Sequence, residues 1–107
     1  MTDPILLELT RPDGSLPAER VALLQAVADP VRWAVLATLA EGQRCVCDLQ
    51  ERIPIAGNLL SYHLKVLRDS GLVTTSRRGR WVDYAMAQDA QERMRSALPG
   101  PAVQVAR

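Results

Sequence analysis

Three features of the sequence predict a mainly α fold with one small β-hairpin (α+β). Apolar residues recur at helical spacing in successive segments between residues 30 and 69. Stop and start signals, Asp29-Pro30, Pro54 and Gly71, bracket those segments. Two short runs rich in β-branched residues then flank the turn Arg77-Arg78-Gly79-Arg80.

The elements follow in chain order. Residues 1–16 hold one apolar stretch, Ile5-Leu6-Leu7, and a Pro/Gly loop, and are read as an N-terminal arm. A first helix runs from Pro17 to Ala28, with Pro17 suited to a first turn and Glu19 complementing the positive end of the dipole. Asp29 caps a second helix whose first residue is Pro30, with Val31, Ala34, Val35, Thr38 and Leu39 as its buried stripe. A short third helix covers Val46–Arg52, placing Val46, Leu49 and Ile53 on one face until Pro54 stops it. The fourth helix, Asn58–Asp69, sets Leu60, Leu64 and Leu67 beside a polar face of Ser61, Tyr62, Lys65 and Arg68. Gly71 can take the left-handed position after its last turn, with Leu72 packing back on Leu67. Residues 72–76 and 81–86 form the hairpin, and a fifth helix spans Gln88–Leu98. The organisation is an arm (1–16), one domain (17–98) and a flexible tail (99–107).

Composition narrows the function. At 107 residues the chain is one small domain. Phe is absent and aromatics are 4%, so aliphatic side chains must build the core. No apolar run approaches the roughly 20 residues of a membrane span. The start Met1-Thr2-Asp3-Pro4 lacks the regions of a secretion signal, and two Cys make no disulfide framework, so the chain reads as cytoplasmic. A single His with no converging acid–base pair argues against an enzyme.

Charge is balanced overall but not locally. Residues 52–80 hold Arg52, Lys65, Arg68, Arg77, Arg78 and Arg80 against Asp69 alone, a net of +5 in a chain of net +1. That basic third coincides with a short helix, a tight turn, a longer helix with a polar face and a basic hairpin. This is the order of a winged helix-turn-helix, with about five helices and a two-stranded wing. A helix fits the major groove, and an Arg-bearing hairpin tip reaches flanking phosphates or the minor groove. Asn58, Ser61, Tyr62 and Lys65 would project from the recognition helix, with Arg77, Arg78 and Arg80 on the wing. Two-fold repetition of so small a module across a palindrome would double its hold on DNA.

Four segments carry a family resemblance: residues 28–33 (ADPVRW), 45–49 (CVCDL), 60–67 (LSYHLKVL) and 79–84 (GRWVDY). Together they resemble the ArsR/SmtB family of metal-responsive winged-helix repressors, in the same order over about residues 17–98. The resemblance implies a homodimer packed through the first and last helices that represses an operon until an inducer binds. It implies double-stranded operator DNA as partner, met by Asn58, Ser61, Tyr62, His63, Lys65 and Arg68, with Arg77, Arg78 and Arg80 on the wing; from its place between Leu60 and Leu67, on the edge of the apolar face, His63 also reads as a hydrogen-bonded interior residue.

Cys45-Val46-Cys47 opens the third helix and reads in two ways. Thiolates suit soft ions, whereas Cys is also often just a small buried residue. Residues two apart lie about 200° around a regular helix, so both sulfurs reach one ion only if the first turn unwinds or stays extended. Cys45-Val46-Cys47-Asp48-Leu49 resembles the arsenic-sensing motif of the family's arsenic repressors, which implies As(III) or Sb(III) as inducer and Cys45 and Cys47 as its ligands. No cofactor is required for folding. That motif commonly has a third Cys where this chain has Gln50, so two thiolates would be completed by hydroxide or an external thiol. Zinc or nickel on the last helix is disfavoured, since Asp89 and Glu92 have no His beside them. The alternatives are cadmium or lead at the same pair, or sensing of oxidants or reactive sulfur species, the last weakened by the strain of a disulfide between residues two apart.

Overall fold

The computed structural model describes residues 17–100. The expected arm (1–16) and the last part of the expected tail (101–107) lie outside them. The order of elements is α1 (Ala18–Val27), α2 (Pro30–Leu39), β1 (Arg44–Cys45), α3 (Val46–Arg52), α4 (Gly57–Asp69), β2 (Val73–Arg78), β3 (Trp81–Met86) and α5 (Ala90–Ala97). Among the described residues five helices accompany an antiparallel sheet of strand order β1-β3-β2.

The helix boundaries follow from local chemistry. Asp29 is extended (φ −145°, ψ 134°), and its Oδ2 accepts from the backbone N–H groups of Val31 and Arg32 at 2.9 and 3.0 Å. Two of the orphan donors of α2 are thereby satisfied, and Pro30 supplies the preset φ of a first turn. The α4 terminus is a Schellman motif. The Leu72 N–H donates to Leu67 O at 3.1 Å and the Gly71 N–H to Arg68 O at 3.0 Å, with Gly71 at φ +78°. Leu67 and Leu72 are both fully buried, as the motif's apolar contact requires. Between α3 and α4, the Gln50 side-chain amide donates to Ile55 O at 2.5 Å and braces the turn of the helix-turn-helix.

The core is aliphatic. Leu49, Leu60, Leu64, Leu67, Leu72, Val35 and Val73 are its largest fully buried side chains. Most of them come from α2, α3, α4 and β2, so α4 lies on the core through Leu60, Leu64 and Leu67. Both tryptophans and Tyr62 are exposed instead.

Three expectations are corrected here. The sheet has a third strand: Arg44 and Cys45 pair with Tyr84 and Asp83 of β3. Two residues give too short an alternation to read from sequence. Arg77 and Arg78 belong to β2 rather than to the turn, which is only Gly79-Arg80, with Gly79 (φ +58°) where a type II′ turn needs a positive φ. The stripe of α2 buries Leu36 with Val35 and Leu39, whereas on α3 Val46 is exposed.

Candidate nucleic-acid interface

The outward face of α4 carries Asn58, Ser61, Tyr62, Lys65 and Arg68, all exposed. Their positions follow from anchoring Leu60, Leu64 and Leu67 in the core. Lys65 Nζ pairs with Asp69 Oδ2 at 2.7 Å, one turn along the same face, and this bond holds the Asp69 carboxyl below its ordinary range. Leu59 is also exposed, at 45%, three residues before Tyr62. Sequence reasoning missed it, although that i, i+3 spacing places it on Tyr62's side of the helix.

His63 stands elsewhere. It is 7% exposed, and its Nδ1 faces Arg32 Nη1 at 2.9 Å. A guanidinium only donates, so Nδ1 accepts. Arg32 also donates from Nε to Ala26 O at 2.6 Å and from Nη2 to Gln25 O at 3.2 Å. Of the two readings of His63, interior hydrogen-bonding residue or DNA contact, the side chain takes up the first: it points inward, tying α4 to the corner between α1 and α2. Asp29 Oδ2 lies 3.8 Å from the same imidazole nitrogen. The Arg32 backbone N–H, with smaller help from the nearby charges, holds the Asp29 carboxyl below its ordinary range.

The wing divides its basic residues. Arg77, Arg78 and Arg80 are all exposed, but successive strand residues face opposite sides of the sheet. Arg78 turns to Asp83, donating from Nε at 2.5 Å and from Nη2 at 3.1 Å. Asp83 is 3% exposed and also accepts from Gln43 Nε2 at 3.1 Å. The Arg78 hydrogen bonds hold its carboxyl below the ordinary range and raise the Arg78 guanidinium in turn. Trp81, paired in register with Arg78, is 53% exposed beside the tip.

The thiol pair sits where β1 becomes α3. Cys45 is extended (φ −77°, ψ 163°) and caps α3, its Sγ accepting from the Asp48 N–H at 3.4 Å. Cys47 lies one residue inside the helix and is exposed. Because Cys45 stands outside the helix, the 200° separation of a regular helix does not apply, and the two sulfurs meet in a disulfide with Cα atoms 5.4 Å apart. The disulfide disfavoured on spacing is thus formed, and the extended backbone of Cys45, before the helix begins, is the reason. A cleft of about 470 Å³ opens over the pair, lined also by Arg44, Glu51, Arg78 and Asp83. Among the described residues no group of three or more His, Cys, Asp and Glu side chains is placed to hold a metal ion. Gln50 does not line the cleft, since its amide is committed to the inter-helix turn.

Known proteins share this fold. The family described as "Bacterial regulatory protein, arsR family" matches residues 29–75. The biofilm growth-associated repressor of Xylella fastidiosa is 35% identical over 99 residues, which cover 92% of this chain and 87% of that protein. The chain belongs to the arsR family. The transcriptional repressor SmtB of Mycobacterium tuberculosis is 46% identical over 65 residues, and the match spans about half its length, 48%. Among solved structures, one titled as a possible transcriptional regulator for arsenical resistance superposes with a TM-score of 0.65 at 30% identity, covering 69% of this chain and 77% of that one. ArsR-family relatives of this kind are transcriptional regulators rather than enzymes. No single helix among the described residues is long and apolar enough to cross a membrane.

Proposed function

We propose that this arsR-family chain is a homodimeric transcriptional repressor that holds operator DNA and is released when As(III) or Sb(III) binds Cys45 and Cys47. The observation that carries the reading is the convergence of the two sulfurs at the start of α3, the helix that precedes α4 in the helix-turn-helix. Ligation there acts on the helix that supports the recognition helix. A coupling of about 1–3 kcal/mol would loosen the operator by roughly one to two orders of magnitude.

The residues fit a thiophilic ion in part. The two sulfurs lie side by side without unwinding α3, and once reduced to thiolates they suit soft ions. Gln50 leaves no third sulfur, so hydroxide or an external thiol completes the set. Asn58, Ser61, Tyr62, Lys65 and Arg68 meet the major groove, Leu59 offers an apolar contact to a thymine methyl, and Arg77 and Arg80 reach phosphate or the minor groove. The dimer packs through α1 and α5, supported by a solvent-facing hollow between them lined by Leu24, Val27, Gln91, Met94, Arg95 and Leu98. Val21 on α1 and Leu98 at the end of α5 are exposed apolar residues.

The test is a gel shift with the DNA upstream of the coding sequence, titrated with arsenite, antimonite, cadmium, lead, zinc and peroxide. Reduced protein should let go with arsenite or antimonite, and the doubly substituted Cys45→Ser, Cys47→Ser protein should bind DNA equally well but ignore them. Release of the double variant by arsenite would place the inducer elsewhere. A second reading, sensing of oxidants or reactive sulfur by the same pair, is favoured by the Cys45–Cys47 disulfide itself. Release by peroxide and not by arsenite would select it.

A further inference from the structure

A bonded pair of sulfurs offers no thiolate to an ion, so the disulfide stands between this chain and its proposed inducer. The two sulfurs are not equivalent. Cys47 is exposed, while Cys45 is half-buried at the junction of β1 and α3. The Asp48 N–H donates to Cys45 Sγ at 3.4 Å. The cleft over the pair gives a small molecule room to approach. Thiol–disulfide exchange is governed by access to the attacked sulfur and by how readily the other leaves as thiolate. Both factors select the same direction of attack.

We propose that the pair is a thiol-exchange site. A low-molecular-weight thiol opens the disulfide by attack on Cys47 Sγ, with Cys45 leaving, and only the opened pair takes up the thiophilic ion. In the first step the small thiolate forms a bond to Cys47 Sγ. The bond to Cys45 Sγ breaks, and its electron pair stays on Cys45 as thiolate, facing the Asp48 N–H. In the second step another small thiolate attacks the small-molecule sulfur of the mixed disulfide. That frees Cys47 as thiolate and forms the small molecule's own disulfide. Two thiols supply the two electrons. The cleft sets Asp48, Glu51 and Asp83 against Arg44 and Arg78, an excess of one carboxylate, so an uncharged thiol is the suitable probe. Only the clause about the ion rests on the proposed function.

The experiment uses the full chain, air-oxidised and exposed briefly to 2-mercaptoethanol, then quenched with acid and N-ethylmaleimide. Fragmentation of the peptide spanning residues 45–52 locates each adduct. The expected intermediate carries mercaptoethanol on Cys47 and maleimide on Cys45, in excess over the reverse by on the order of tenfold. Equal or reversed labelling overturns the proposal, as does maleimide on both sulfurs before any thiol is added. A gel shift then compares the disulfide and reduced forms with arsenite and no thiol. Release of the reduced form alone is the expected result, and equal release of both overturns the gating. Failure of arsenite to release even the reduced form overturns the proposed inducer while leaving the labelling result intact.

Discussion

Asp83 and Arg78 face each other across the wing, the carboxylate of the one buried and gripped by two hydrogen bonds from the guanidinium of the other. On its other side Asp83 pairs in register with Cys45. One residue thus joins the thiol-bearing strand to the basic tip. Its folded pKa lies below the ordinary 3.8. A depressed carboxylate contributes stability that is whole above 3.8 and is lost as pH falls through the folded value. Thermal melts across acid pH should therefore show an acid limb that shrinks in Asp83→Asn. It should not vanish, because Asp29 and Asp69 are lowered too and carry the same sign. Superimposable acid limbs in the two proteins would mean that the pair contributes nothing.

The division of the wing arginines has its own signature. Arg80 sits in the turn, and no ion pair engages it among the described residues. Arg80→Ala should weaken binding to all duplexes alike and reduce the log–log salt slope by about 0.9 for each phosphate it ceases to neutralise. Its melting temperature should stay unchanged. Arg78→Ala should instead lower the melting temperature, because among the described residues Asp83 then keeps only Gln43 as a side-chain partner. Melts and salt titrations of both variants decide it, and identical behaviour would erase the distinction.

Local chemistry makes much of this legible. Asp29-Pro30 and Gly71-Leu72 fix their helix ends by bonds among near neighbours, so sequence shows them directly. The spacing of Leu60, Leu64 and Leu67 likewise places the exposed face of α4. What escapes depends on partners far along the chain. By spacing His63 sits on the edge of the apolar face, but its partner, Arg32, stands 31 residues earlier. Arg78 resembles its basic neighbours in sequence, and Asp83 sets it apart only across the hairpin. Cys45 falls before the expected helix, but its place in a strand is hidden because β1 exists only through its pairing with β3.

Asp29 carries two duties that one substitution separates. Its Oδ2 caps α2 and lies near the Arg32–His63 contact that seats the recognition helix. Asp29→Ala should cost about 1 kcal/mol, as loss of an N-cap does. Asp29→Ser can restore the cap without the charge. Denaturant unfolding should rank wild type and Ser close together and Ala below them. A Ser variant as unstable as Ala would show that the charge beside His63, not the cap, is what matters.

Gly71 and Gly79 both hold a positive φ, but their surroundings differ. At Gly79 (φ +58°) a Cβ would meet nothing within 4 Å, so Gly79→Ala carries only the conformational cost of its turn. At Gly71 (φ +78°) a Cβ would come within 2.8 Å of Arg93 Nη1. That guanidinium donates to the Gly71 and Ser70 carbonyls at 2.9 Å each, fastening α5 to the end of α4. Gly71→Ala must bear a left-handed backbone cost of about 1–2 kcal/mol and also displace Arg93. Urea unfolding should find it destabilised by clearly more than that backbone cost. In an Arg93→Ala background the cost of Gly71→Ala should fall towards the backbone part alone, because the obstruction is gone. A cost undiminished without Arg93 would assign it to the Schellman turn itself.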